Sequence, residues 1–323
     1  MLALRKLTNK ASLLSITSRF LTTQKPYPIP DEPTSTKYDE LIYIAGRSRD
    51  FATIHRLLNK RFKDHCFNTA NTFKFITNTD NDLSVLDDLS QTLARLDKGF
   101  TRKSAYDSLI IRLSKLNRID EALRVVDTMV RGEYGANACT YHPILNALTK
   151  KKKMKEAWRL MESMRENGIS PDVTAYNYIL TAYCFVGDLA AVAGVLTKFG
   201  EEGMKADTRT YDALVLGACR AGKVEGALVV LRRMEDDGVP VLFSTHAHVI
   251  SELLGMGYYE QAVEFVMSYE GRDKRLDAES FGSLASRLIN LKRIEEAKLV
   301  LEEMNKRGIP MGYKLKDFYQ MNI

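Results

Sequence analysis

The chain has 323 residues, is 45% hydrophobic and 27% charged, and carries a formal net charge of +6. Its cysteines, Cys66, Cys139, Cys184 and Cys219, include no CxxC spacing, which argues against a disulfide framework and a cysteine zinc site. No run of 18 apolar residues occurs, so no membrane-spanning helix is expected.

Residues 1–30 hold Arg5, Lys6, Lys10, Arg19 and Lys25 and no acidic residue before Asp31. Leu2, Leu4, Leu7, Leu13, Leu14, Ile16 and Phe20 are interleaved with Ser12, Ser15 and Ser18. Basic, amphipathic, hydroxylated and acid-free, this is the composition of an organelle transit peptide. The arginines favour the mitochondrion, with the chloroplast as the alternative. Pro26, Pro28, Pro30 and Pro33 mark a linker. Residues 1–30 carry five of the net positive charges, leaving about +1 for 31–323. The basicity therefore belongs mostly to this segment and does not describe a body wrapped on phosphate.

Beyond the linker, residues 31–102 are expected to form degenerate helical repeats. A unit near 35–69 is carried by Tyr38, Leu41, Ile42 and Ala45. In 70–102, Phe73 and Ile76 fit the same stripe, whereas Asp80 stands where an apolar residue is expected.

From 103 onward a strict period appears. Tyr106, Tyr141, Tyr176, Tyr211, His246 and Phe281 follow one another at intervals of 35 residues, and such a period means stacked units. Residues three, four and seven after each anchor are mostly apolar, as in Tyr106-Leu109-Ile110-Leu113 and Tyr176-Ile179-Leu180-Tyr183, which predicts one buried face of an α-helix. A second stripe follows in each unit, for example Ile119-Ala122-Leu123-Val126-Met129. Asp120-Glu121, Glu225, Glu260 and Glu295-Glu296 open the second helix, where they oppose its N-terminal dipole. Ala122, Ala157, Ala227, Ala262 and Ala297 recur inside it, with Val192 as the exception. Gly168, Gly203, Gly238 and Gly308 predict left-handed C-terminal turns. The six units are 103–137, 138–172, 173–207, 208–242, 243–277 and 278–312, followed by a tail, 313–323.

The stretch from Lys155-Glu156-Ala157-Trp158 through Gly168-Ile169-Ser170-Pro171-Asp172 to Tyr176-Asn177 resembles the core of the pentatricopeptide repeat family. The tetratricopeptide repeat also stacks helix pairs, but its usual period is about 34. The resemblance implies an all-α, right-handed α-solenoid of helix–turn–helix pairs whose first helices line a concave side.

The resemblance also implies that each repeat reads one base of single-stranded RNA, using its fifth and last residues on the base edge and its second residue on the base face. The pairs are Asp107/Asn137, His142/Asp172, Asn177/Asp207, Asp212/Leu242, Ala247/Asp277 and Gly282/Gly312. Only Asn177/Asp207 matches a familiar combination, the one associated with uracil. Leu242, Ala247, Gly282 and Gly312 offer little to a base edge, which argues against a long strict code. Lys115, Lys150 and Arg220 share one register, filled elsewhere by Phe185, Gly255 and Asn290. They are candidates for phosphate contact, or simply solvated turns, and the densest cluster is Lys150-Lys151-Lys152-Lys153.

No catalytic constellation, cofactor or metal is expected. His246-Ala247-His248 lacks accompanying ligands at zinc spacing. The eleven residues after 312 are too few for the deaminase-like or nuclease-like domains that some relatives append. Three functions remain open: an RNA-binding adaptor in organellar RNA processing, stability or translation; a scaffold subunit of a ribonucleoprotein particle such as the mitochondrial ribosome, touching messenger or ribosomal RNA and neighbouring proteins; and a peptide clamp of tetratricopeptide type. DNA is not expected as a partner.

Overall fold

The computed structural model describes residues 33–78, 83–271 and 273–322; the expected transit peptide and Asp80 lie outside them. Among the described residues there are sixteen α-helices and no strand. None of these helices is long and apolar enough to cross a membrane. The chain divides into two compact units, Met1–Ala136 and Asn137–Ile323.

The first unit holds α1 (Ser35–Arg47), α2 (Phe51–Lys63), α3 (Leu83–Ala94), α4 (Phe100–Lys115) and α5 (Ile119–Arg131). Residues 66–78 run as turns and irregular backbone instead of a first helix, although Phe73 and Ile76 are buried as their stripe implies. Local hydrogen bonds compete with the helix here. The Thr69 N–H donates to Thr72 Oγ1 at 2.9 Å and the Asn71 N–H to Thr69 Oγ1 at 3.0 Å. The buried Arg61 guanidinium donates to Asp39 Oδ1 at 2.8 Å and to Thr72 Oγ1 at 3.0 Å, so its charge is paired, as burial requires.

The second unit holds α6 (Ala138–Lys150), α7 (Met154–Glu166), α8 (Val173–Phe185), α9 (Leu189–Glu201), α10 (Thr208–Arg220), α11 (Val224–Asp236), α12 (Phe243–Gly255), α13 (Tyr259–Ser268), α14 (Lys274–Asn290), α15 (Ile294–Lys306) and α16 (Tyr313–Asn322). The first helices α6, α8, α10, α12 and α14 pack side by side in series, and each carries its own second helix behind it. All six anchors are buried, from fully buried Tyr106 and Tyr176 to Tyr211 at 7% exposure. The five small alanines are fully buried, and Val192 nearly so.

Two turns recur at the repeat period. Asn117, Lys152, Gly187, Gly222, Gly257 and Lys292 all have positive φ, between 57° and 79°, and join first helix to second. At the other end, the Ile169 N–H reaches Met164 O and the Gly168 N–H reaches Arg165 O, both at 2.9 Å, the paired bonds of a Schellman cap. The α8–α10 approach depends on Gly217, where an added Cβ would lie 2.8 Å from Cys184 Sγ.

Leu180 on α8 is 1% exposed. Leu180→Ala should therefore lower unfolding free energy by about 2–5 kcal/mol, measured as a shift in urea midpoint at constant m; a loss below about 0.5 kcal/mol would contradict the buried stripe.

Candidate nucleic-acid interface

The closing residue of a repeat is the N-cap of the next first helix, and the helix start is what positions it. Asp172 caps α8, accepting the Ala175 N–H at 2.9 Å, and Asp207 caps α10, accepting the Thr210 N–H at 2.8 Å. Acidic and amide side chains are favoured there because they satisfy orphan N–H groups and oppose the helix dipole. The fifth residue of the preceding first helix comes to the same place. Asn177 Nδ2 donates to Asp207 Oδ1 at 2.9 Å, and His142 Nε2 lies 2.8 Å from Asp172 Oδ1.

Asn177 is held from a second side: Thr210 Oγ1 donates to Asn177 Oδ1 at 2.8 Å. That bond fixes the amide orientation, with the carbonyl turned to Thr210 and the NH₂ towards Asp207. Burial alone would raise the Asp207 carboxyl, but hydrogen bonds from Thr210 and Asn177 outweigh it and hold the group below its ordinary range. Asp207 therefore stays an anionic acceptor beside an amide donor.

Asn177 lines a groove of about 730 Å³ along α6, α8 and α10. Its walls include Asn177, Tyr178, Phe185, Arg209 and Asp212, with Lys150 and Lys152 on the α6 side. Lys150, Arg209 and Arg220 are exposed, and the Arg220 guanidinium lies over the Phe185 ring. Positive charge thus rims the groove, and the Asn177 amide at its wall is paired with Asp207 behind it.

The remaining expected positions behave differently. Asp107, in the first unit, accepts from Lys103 Nζ at 2.5 Å, and Lys115 is exposed at the end of α4. Asn137, in the second unit, caps α6 in a capping box with Thr140. Asp212 accepts from Ser244 Oγ at 2.9 Å and Thr245 Oγ1 at 2.8 Å, with His248 Nε2 at 3.7 Å. Asp277 does not cap a first helix. α14 begins four residues earlier than the repeat register, with Asp273 as its cap, and Asp277 lies inside its first turn, 8% exposed, accepting the Gly271 N–H at 3.0 Å.

Models of the PPR repeat match residues 104–133, 202–235 and 279–309, and the PPR repeat family model matches 136–185. Two mitochondrial pentatricopeptide repeat-containing proteins of Arabidopsis thaliana are similar over nearly the whole chain. One is 51% identical over 96% of this chain and 90% of its own length, the other 66% identical over 91% and 84%. The chain belongs to the pentatricopeptide repeat family. The crystal structure of the pentatricopeptide repeat protein PPR10 in complex with an 18-nt psaJ RNA element shares the fold at a TM-score of 0.50 and 18% identity. The match covers 96% of this chain and 42% of that one.

Within this pentatricopeptide array, Arg209 is a repeat's second residue, whereas Tyr178 and Thr210 hold no position in the expected code. A signal for Thr210 existed: Thr140, Thr210, Thr245 and Ser280 occupy one register of the 35-residue period, and all four are buried. Ser280 meets His246, with His246 Nδ1 at 3.1 Å from its Oγ. The rings of Phe265 and Tyr269 enclose His246, and His246 Nε2 is buried with no hydrogen-bond partner.

Burial lowers the His246 pKa from its ordinary 6.5 to about 4. An unfolded chain takes up the proton first as pH falls, so the stability this group contributes is complete above 6.5 and is lost between 6.5 and 4. Going from pH 7 to pH 5 should cost about 2 kcal/mol through this residue. Urea unfolding of wild type and His246→Phe at both pH values should give a smaller pH difference in the variant; equal differences would contradict the assignment.

Proposed function

We propose that the chain is a non-enzymatic mitochondrial protein that binds single-stranded RNA along its first-helix layer and acts in RNA processing, stability or translation. The observation that carries this reading is the Asn177–Asp207–Thr210 cluster, which meets a cation-rimmed groove through Asn177. With the Asn177 carbonyl engaged by Thr210, the pair presents an N–H donor next to a carboxylate acceptor. A uracil edge, with a carbonyl oxygen beside the N3–H, is the complementary pattern, in line with the family association of this pair. Thr174 and Arg209, the second residues of adjoining repeats, line the same groove and are placed to pack on the base faces. The solved relative bound to an RNA element and the mitochondrial relatives support the class of partner and the compartment.

A second reading is a scaffold subunit of a ribonucleoprotein particle that touches RNA mainly through its backbone. What favours it is the scarcity of open base-reading positions. Asp212 is engaged by Ser244 and Thr245, and Asp277 lies inside α14 and accepts the Gly271 N–H. Leu242, Ala247, Gly282 and Gly312 present no polar side-chain atom.

Salt-titrated binding of the chain to U-rich and to mixed-sequence single strands separates the two. The adaptor reading expects a U-rich preference that Asn177→Ala reduces by about 1–2 kcal/mol; a wild type with no preference at any salt concentration would favour the scaffold. Lys150→Ala together with Arg220→Ala should weaken all sequences alike and flatten the salt slope by about 1.4. Lost selectivity in that double variant would show that these residues touch bases.

A further inference from the structure

Asn177, Thr181 and Phe185 all line the groove, at i, i+4 and i+8 of α8, which puts Phe185 about 12 Å along the helix from the base-reading pair. Phe185 stands in the register that Lys150 and Arg220 fill in the adjoining repeats. Phe185 is 56% exposed, so much of its apolar surface is left to water. The Arg220 guanidinium carbon lies 5.1 Å from the ring centroid, which supports one face of the ring by a cation–π contact and leaves another side towards the groove.

We propose that Phe185, backed by Arg220, is a stacking platform for one nucleobase of the bound single strand, outside the repeat-by-repeat reading positions. The inference rests on the RNA-binding reading above. Charge decides the occupant. Arg220 lies against the ring and Lys150, Lys152 and Arg209 line the same groove, and a nucleobase arrives with a phosphate on either side of it to meet such cations, whereas an apolar side chain of a protein partner would leave them unmatched. An aromatic face within a cationic groove is the combination that holds single strands without demanding one base. The platform therefore adds affinity that tolerates sequence, beside the one discriminating pair at Asn177.

The test measures affinity of the full chain for a fluorescein-labelled U-rich strand, and stacking with a second strand carrying one 2-aminopurine, in Phe185→Ala, Phe185→Leu and Phe185→Trp at matched melting temperatures. Phe185→Ala and Phe185→Leu should bind about 5- to 100-fold more weakly, Phe185→Trp should bind as wild type, and quenching of 2-aminopurine on binding should be lost with Ala and Leu. Wild-type affinity in Phe185→Ala, or in Phe185→Leu with quenching intact, would overturn the platform while leaving RNA binding in place. A wild type that binds no single strand would defeat the RNA-binding reading and this inference together. Unchanged RNA affinity with loss of a co-purifying protein would assign the ring to a protein interface instead.

Discussion

The bond between a buried tyrosine and the end of its own second helix sets the geometry on which the array depends. Tyr38 OH donates to Asp64 at 2.5 Å, Tyr176 OH donates to Glu202 at 2.7 Å, and Tyr211 OH donates to Asp237. In the unit 138–172, Asn167 Nδ2 donates to Tyr141 OH at 3.1 Å. In these four units the partner lies 26 residues on, and it is the C-cap of the second helix. Each ring fills the core between two helices while its hydroxyl satisfies a polar group at the far end of the pair, so packing and hydrogen bonding specify one and the same register. Burial, then the bond to Glu202, raise the Tyr176 phenol to about 12, so the hydroxyl keeps its proton and stays a donor.

The register fixes everything on the first-helix layer. Once each pair is clamped, the next first helix must begin where its N-cap can reach across to the previous one. That puts Asp172 beside His142 and Asp207 beside Asn177. The same aspartates stabilise helix starts and form the candidate reading positions, so one side chain serves the fold and the site. Departures are local. Tyr106 OH turns to the carbonyl of Ser90 instead, His246 loses the polar tether that tyrosine carries elsewhere, and α14 starts early, which moves Asp277 off the cap. The candidate site is accordingly best formed in the middle of the second unit, where the clamp is intact on both sides.

Much of this was legible in the sequence because the 35-residue period repeats a burial pattern, and burial is what apolar residues report. The anchors, the alanine register and the terminal glycines say where helices lie and how they turn. Polar partnerships were less legible. The tyrosine partners are Asp, Asn or Glu by turns, so no single letter repeats, and Thr210 looks like an ordinary helix residue until its hydroxyl meets Asn177. Lys152 and Lys292 adopt the left-handed turn that glycine takes in neighbouring repeats, and composition alone hides this. In 66–78, Phe73 and Ile76 announced a buried stripe, but Thr69 and Thr72 hold the backbone in turns. A stripe reports what is buried and not which backbone buries it.

The central claim is that the layer of first helices, and not the layer behind it, is the RNA surface. Ultraviolet cross-linking of the chain to a 4-thiouridine-containing U-rich strand, with cross-linked residues mapped by mass spectrometry, tests it directly. The account predicts adducts on α6, α8 and α10, concentrated at Tyr178, Phe185 and Arg209. Adducts confined to α7, α9 and α11 would contradict it.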